Sequence, residues 1–529
     1  MRRTGASRLS VAGWAFVLLM LTGGGPALAA TTTSTTAPAS TSSWTVYHGN
    51  PQGTGVAPSV TSVNLSARTW TSPTLDGQLY GEPLVSGGRV FVATENDTVD
   101  ALSAATGAVV WSTHLGTPVP SGSLPCGDIA PTVGITGTPV IDEARGEVFV
   151  VADELVNGKA AHQLVGLNTS SGKVELNQNV DPSGSTPAAL LQRTGLTLDA
   201  GHVVFAYGGN YGDCPSYHGW VLSVPEGGGT PGAFEVDSGP GESQGAIWMG
   251  GAAPVVDAAG NIWVVAGNGS VTSSSHAYDD SDSVLELSPS LTLTQYFAPS
   301  TWASENASDL DLSTGAALLP DGQVMAAGKD RAGYLLNGSS LGGIGGQQAS
   351  LADACGAPIE GGAAVEGTTV YLPCLSGPIA VQASASPAGL RLLWRSPVGG
   401  GPPIVAAGLV WTIGSNGVLY GLDPSSGTAR EQATIGAPAN HFPTPSVGAG
   451  LLLAPSADRV VAFTATANST TTTTVPTTST TTGRATTTAP STSSAGTDPW
   501  VVVAAIAGGL VVVGGLTWFL RRRRRMRNQ

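Results

Sequence analysis

Oxygen-bearing side chains gather in one stretch of this sequence. Asn268 sits in NIWVVAGNGS, three aspartates in AYDDSDS, and Asp309 and Asp311 in ENASDLDLSTG, with Asp213 upstream and Lys329 and Arg331 downstream in AAGKDRAG. Amide and carboxylate oxygens suit a hard cation such as calcium, and an aspartate beside such a cation can take a proton. Each segment also has a plain structural use: GNGS as a β-turn, YDDSDS as a solvated loop, DLDLS as a capped link between strands. Asp279, Asp280 and Asp282 lack the glycine and terminal glutamate of an EF-hand loop. The seven histidines are scattered without zinc-ligand spacing, and neither a Ser/His/Asp motif nor a Cys-x-x-Cys-His haem motif is present.

The ends of the chain bound what can position these groups. Arg2, Arg3 and Arg8 precede an apolar run from Val11 to Leu21, and Ala27-Leu28-Ala29 offers a cleavage site, so residues 1–29 read as a signal peptide. A Thr/Ser-rich linker follows over 30–43, and a Thr/Ser/Pro-rich stalk is expected over 467–499; neither composition can build a core. Residues 500–520 are apolar for long enough to cross a bilayer as a helix, with Trp500 and Trp518 at its ends. The arginines at 521–525 and 527 make 521–529 a basic cytoplasmic tail, which puts the rest of the chain outside a cell membrane crossed once. With the nine arginines of the two ends set aside, 13 basic residues face 36 acidic ones, a balance of −23. Such a surface repels nucleic acid, and leaves the membrane and an unknown surface ligand or protein as the expected partners.

Between the ends, the chain repeats itself. VDALSAATG, QLVGLNTSSG, WVLSVPEGG, SVLELSPSL, GYLLNGSSL, IAVQASASP, LYGLDPSSG and VVAFTATA have central residues Leu102, Leu167, Leu222, Leu285, Leu335, Val381, Leu422 and Ala462, spaced for a unit of about 40 residues with insertions. Two more apolar strands precede each unit, as GEPLV and GGRVFVAT do the first. Four short strands per unit, with 73 glycines and 36 prolines for the turns, predict an all-β, eight-bladed propeller over 44–466. The last unit lacks a fourth strand, and the unmatched SARTWTS at 66–72 is expected to supply it and close the ring. In a propeller the links between blades and the loops joining second to third strands share one face, here called the top. Cys126, Cys214, Cys355 and Cys374 all fall there. An exported chain favours oxidised cysteines, and position on the blades pairs Cys126 with Cys214 and Cys355 with Cys374.

The signature Ala-Leu-x-Ala-x-Thr-Gly-x-x-x-Trp at 101–111, echoed at 421–427, resembles the pyrroloquinoline quinone (PQQ) repeat family. That family includes quinoprotein alcohol dehydrogenases and propellers without a cofactor. The order of the Gly-Asn loop, acidic loop, aspartate loop and basic strand over 261–337 is similar to the dehydrogenases. The resemblance implies Asn268 as a calcium ligand, with Asp213 a replacement for a second one. It implies Asp309 or Asp311 as catalytic aspartate, Lys329 or Arg331 as the quinone contact, and Trp248 as the indole beneath the cofactor. The dehydrogenases' adjacent cysteine pair is missing, since Gly127 follows Cys126. Two readings follow: a membrane-anchored surface propeller that binds or scaffolds without catalysis, and a dehydrogenase using calcium and PQQ to oxidise an alcohol.

Overall fold

The computed structural model describes residues 43–214 and 216–468. The expected signal peptide, most of the linker, the stalk beyond 468, the apolar segment 500–520 and the basic tail lie outside the described residues. Among the described residues no helix is long and apolar enough to cross a membrane.

Among the described residues eight blade sheets, antiparallel apart from the edge strands Val56–Ala57 and Gly343–Ile344, follow one another along the chain, with one further two-stranded sheet. Blade 1 is built from Leu84–Ser86, Arg89–Ala93, Thr98–Ser103 and Val109–His114. Blade 2 ends in the long hairpin Glu147–Val156 and Lys159–Asn168 plus the outer strand Val174–Asn179. The third strands of blades 3 to 7 are Trp220–Pro225, Ser283–Leu287, Gly333–Asn337, Ile379–Ala385 and Val418–Leu422. All eight repeat centres read from the sequence fall in third strands, Ala462 doing so within Arg459–Ala467 of blade 8.

Burial explains why the strands read as they do. Middle strands are pressed between neighbouring blades on both faces, so a segment such as Ile262–Ala266 is buried at every position. Outer strands have one wet face, and Val174–Asn179 alternates between exposed and half-buried residues. The core therefore lies between blades: Phe149 and Leu164 of blade 2 pack with Phe205 and Leu222 of blade 3.

The sequence signature has a specific mechanical meaning. Trp111 leaves the outer strand of blade 1 and lies on the Thr-Ser-Ser-Gly turn of blade 2 at 169–172, its indole N–H bonded to the Thr169 carbonyl at 3.0 Å. A Cβ on Gly172 would stand 2.5 Å from that ring. Trp394 of blade 6 covers Gly427 of blade 7 in the same manner and donates to the Pro424 carbonyl at 2.7 Å. Only glycine fits beneath the ring, and its positive φ is needed for the turn as well.

Ring closure repeats this contact. Trp70 pairs with Ala462 as the outer edge of blade 8, donates to the Ala104 carbonyl at 2.8 Å, and covers Gly107 of blade 1. The closing strand is divided, correcting the single strand expected over 66–72. Val60–Asn64 pairs with the end of the third strand and Trp70–Thr71 with its middle, while the intervening residues form a bend.

A second closure was not legible in the sequence. Residues 44–57 run along the inner edges of the first strands. They exchange two backbone hydrogen bonds with Val85 of blade 1 and accept one each from the N–H groups of Ile141 of blade 2, Val256 of blade 4, Val365 of blade 6 and Val405 of blade 7. Tyr47 and His48, both buried, stack at 4.2 Å within this segment. The first strands would otherwise present unpaired backbone groups to the central channel, and this segment satisfies them.

Trp70→Ala should lower unfolding free energy by about 3–5 kcal/mol, the cost of removing a buried large aromatic, whereas Trp70→Phe, losing mainly the N–H bond, should cost about 1 kcal/mol. Denaturant unfolding of the two variants checks this; equal, small losses would show that ring closure does not depend on the indole.

Candidate functional site

Five neighbouring top-face segments converge near the centre of the propeller. The loop after the second strand of blade 3 supplies Asp213, and the link to blade 4 supplies Trp248. The end of the second strand of blade 4 leads into Asn268, the link to blade 5 carries Asp309 and Asp311, and the next second-to-third-strand loop carries Lys329. Trp248 is fixed by its indole N–H, which donates to the Gly209 carbonyl at 2.8 Å; a Cβ on Gly208 would collide with that ring.

Lys329 organises the charges. Its Nζ lies 2.8 Å from Asp309 Oδ1 and 3.0 Å from Asp311 Oδ1, and 5.8 Å from the centre of the Trp248 ring. The two aspartates differ sharply: the Asp309 side chain is 66% exposed and that of Asp311 is 0% exposed. Burial, partly opposed by the Lys329 ammonium, pushes the Asp311 carboxyl up to about 7. Burial works against the Lys329 charge too, but the two carboxylates outweigh it and hold the ammonium protonated. Asp213 is raised by burial despite the hydroxyl of Tyr217, which donates to it at 2.6 Å.

The structure thus brings together Asp213, Trp248, Asn268, Asp309, Asp311 and Lys329. Arg331 is not among them: its guanidinium pairs with Asp353 at 3.2 Å in an exposed contact, which leaves Lys329 as the basic member. The cysteines pair as expected, Cys126 with Cys214 and Cys355 with Cys374, at Cα separations of 6.0 and 6.3 Å. Neither bridge joins adjacent residues. Asp279, Asp280 and Asp282 do not form a cation cage of their own, and among the described residues no three acidic, histidine or cysteine side chains are grouped to hold a metal. Asn268 Oδ1, however, is buried without a hydrogen-bond partner among the described residues, as is Asp311 Oδ2, while Asp311 Oδ1 faces the Lys329 ammonium. An unpaired amide oxygen near carboxylate oxygens is the donor set a hard cation accepts, so the oxygen chemistry fits calcium in kind.

Sequence reasoning missed the residues beside this cluster. Arg193 is buried, with its guanidinium 5.8 Å from the Tyr80 ring centre and 5.6 Å from that of Phe442. Glu360, its carboxyl raised by burial, lies within the field of Lys329 and His441. These residues come from links with no repeat signature, so only the ring arrangement brings them near the axis.

A family profile described as outer membrane protein assembly factor BamB, of the PQQ-repeat type, matches residues 66–277. The fold is similar to the quinohemoprotein alcohol dehydrogenase of Comamonas testosteroni, with 15% identity, TM-score 0.58 and 80% of each chain covered. The chain carries a PQQ-like β-propeller. The PQQ-like propeller is also similar to quinohemoprotein alcohol dehydrogenase ADHIIG from Pseudomonas putida HK5, at 12% identity, TM-score 0.59 and 80% coverage of both chains. A europium-containing methanol dehydrogenase aligns at 14% identity and TM-score 0.55, over 78% of this chain and 89% of that one. No curated protein matches the sequence. At these identities the likeness establishes the fold.

The top face of the PQQ-like propeller carries an unusual load of buried acid. Burial, reinforced by Glu154, Asp153 and Glu95, pushes Asp97 up to about 10; burial and Asp279 do the same to Asp237. Glu95 and Asp153, mainly through burial, rise to about 7. Each of these groups binds its proton more tightly folded than unfolded, where carboxyls titrate near pH 4. Their stabilising contribution is therefore complete below about pH 4 and is lost as pH rises through about 7 and on toward about 10. Thermal unfolding at fixed ionic strength should show the melting temperature falling from pH 5 to pH 9, with a shallower fall in Asp97→Asn. A melting temperature that rises over that range would contradict the assignment.

Proposed function

We propose that this protein is a membrane-anchored, cell-surface propeller that presents its top face to a ligand or protein partner and does not catalyse a reaction. The observation that carries this reading is the state of Asp311. A general base must meet the substrate proton within hydrogen-bond reach, and the Asp311 side chain has no exposed surface while Lys329 stands beside it. The more exposed Asp309 is itself ion-paired to the same ammonium. The two bridges, Cys126–Cys214 and Cys355–Cys374, include no adjacent pair to cover a cofactor lying on Trp248. Support for the anchor comes from the apolar run 500–520 followed by arginines.

A second reading is favoured by one observation, the unpartnered Asn268 Oδ1 beside Asp213 and Asp311. In it, the protein is a calcium- and PQQ-dependent dehydrogenase of alcohols. Asn268 and Asp213 would hold calcium, Trp248 would underlie the quinone, Lys329 would contact it, and Asp311 would take the alcohol proton. Calcium would supply polarisation of the quinone carbonyl.

Two experiments separate these possibilities. In intact cells, external protease should digest the propeller while an epitope after residue 521 stays protected; protection of both would refute the surface orientation. Titration of the full-length chain with PQQ and calcium, by calorimetry and dye-linked alcohol oxidation, should show no binding at high-micromolar PQQ. Tight binding that is lost in Asn268→Ala and Asp311→Ala would replace the first reading with the second.

A further inference from the structure

Beside the axial cluster, blade 3 holds a cavity of about 230 Å³ with a wall composition of its own. It lies between the link leading into the blade, which contributes Ser185, and the loop carrying Ser216, Tyr217 and His218; Trp220 and Glu235 complete it from the adjoining strand ends. It is smaller than the roughly 300–1,000 Å³ of sites for drug-sized molecules.

We infer that this cavity binds a neutral sugar ring or a polyol of similar size. Trp220 Nε1, His218 Nδ1 and Ser185 Oγ are buried in its walls without a hydrogen-bond partner among the described residues. His218 Nδ1 is 3.8 Å from the nearer Glu235 oxygen, too far for a hydrogen bond. Buried donors left unpaired are costly, so a site that keeps several is built for a group that brings acceptors.

The wall narrows the class of that group. Among the described residues no lysine or arginine lines the cavity and Glu235 stands in its wall, so an anion would meet a carboxylate without a fixed counter-charge. An ammonium ligand would satisfy Glu235 but leave the indole N–H without an acceptor. A sugar hydroxyl both donates and accepts, and serves the carboxylate and the indole alike. The Tyr217 hydroxyl is already committed to Asp213, so its contribution is the ring; with Trp220 it offers the apolar aromatic surface on which a sugar's C–H face packs. The inference rests on neither reading of the axial site.

Calorimetry on the full-length chain in detergent, with glucose and N-acetylglucosamine as probes and choline and inorganic phosphate as the competing chemistries, tests it. At least one sugar should bind, about tenfold more weakly in Trp220→Phe and in Glu235→Gln, with binding retained in Trp248→Phe. The Glu235 variant guards against a folding defect in the Trp220 one. Absence of sugar binding at tens of millimolar, sugar binding indifferent to both substitutions, or preferential binding of choline or phosphate sensitive to them would overturn it. Because Trp248 belongs to the axial cluster and not to this cavity, loss of sugar binding in Trp248→Phe alone would move the sugar to the axial site and also overturn the inference.

Discussion

The contact between an outer-strand tryptophan and the glycine-ended turn of the next blade is the constraint on which much of this structure rests. It combines burial of an indole, a hydrogen bond from its N–H to a turn carbonyl, and a glycine that leaves room for the ring. Trp111 onto Gly172 and Trp394 onto Gly427 fix consecutive blades; Trp70 onto Gly107 joins the last blade to the first. The ring must also close at its last interface. Here the same chemistry closes it: Trp70 and Gly107 are near in sequence, but Trp70 reaches the outer edge of blade 8 by pairing with Ala462, at the opposite end of the folded chain.

A closed ring creates two demands that one blade does not. The inner edges of the first strands face a channel, and residues 44–57 fill it by pairing with five blades in turn. The top-face loops are pressed together near the axis, burying carboxylates that would be solvated in an isolated blade. Asp97, Asp237 and Asp311 are held in protonation states set mainly by lost solvation, with Lys329 partly countering it at Asp311. Stability and top-face electrostatics are thus linked through the same crowding, and the site chemistry cannot be separated from ring closure.

Much of the candidate site was legible because turns and loops carry type-specific residues. Asn268 after a strand and the alternating aspartates at 309 and 311 stood out by type and order, and the structure places them together. The register of that last pair was not legible: sequence offers two aspartates two residues apart, and only packing buries Asp311 while leaving Asp309 in solvent. Lys329 and Arg331 were ambiguous for the same reason, until Arg331 was found on Asp353. Arg193, Glu360 and the cavity around Trp220 left no pattern, because their neighbours come from separate links and strand ends.

The sequence by itself determined the blade number, the position of each third strand and the top-face location of the cysteines. These follow from local periodicity and from chain order around a ring, both of which are one-dimensional properties. Tertiary structure alone decided the divided closing strand, the segment filling the channel, the partner of each charged side chain and the depth at which each carboxylate sits. Those depend on distance and exclusion of water between residues far apart in the chain, quantities that no local pattern encodes.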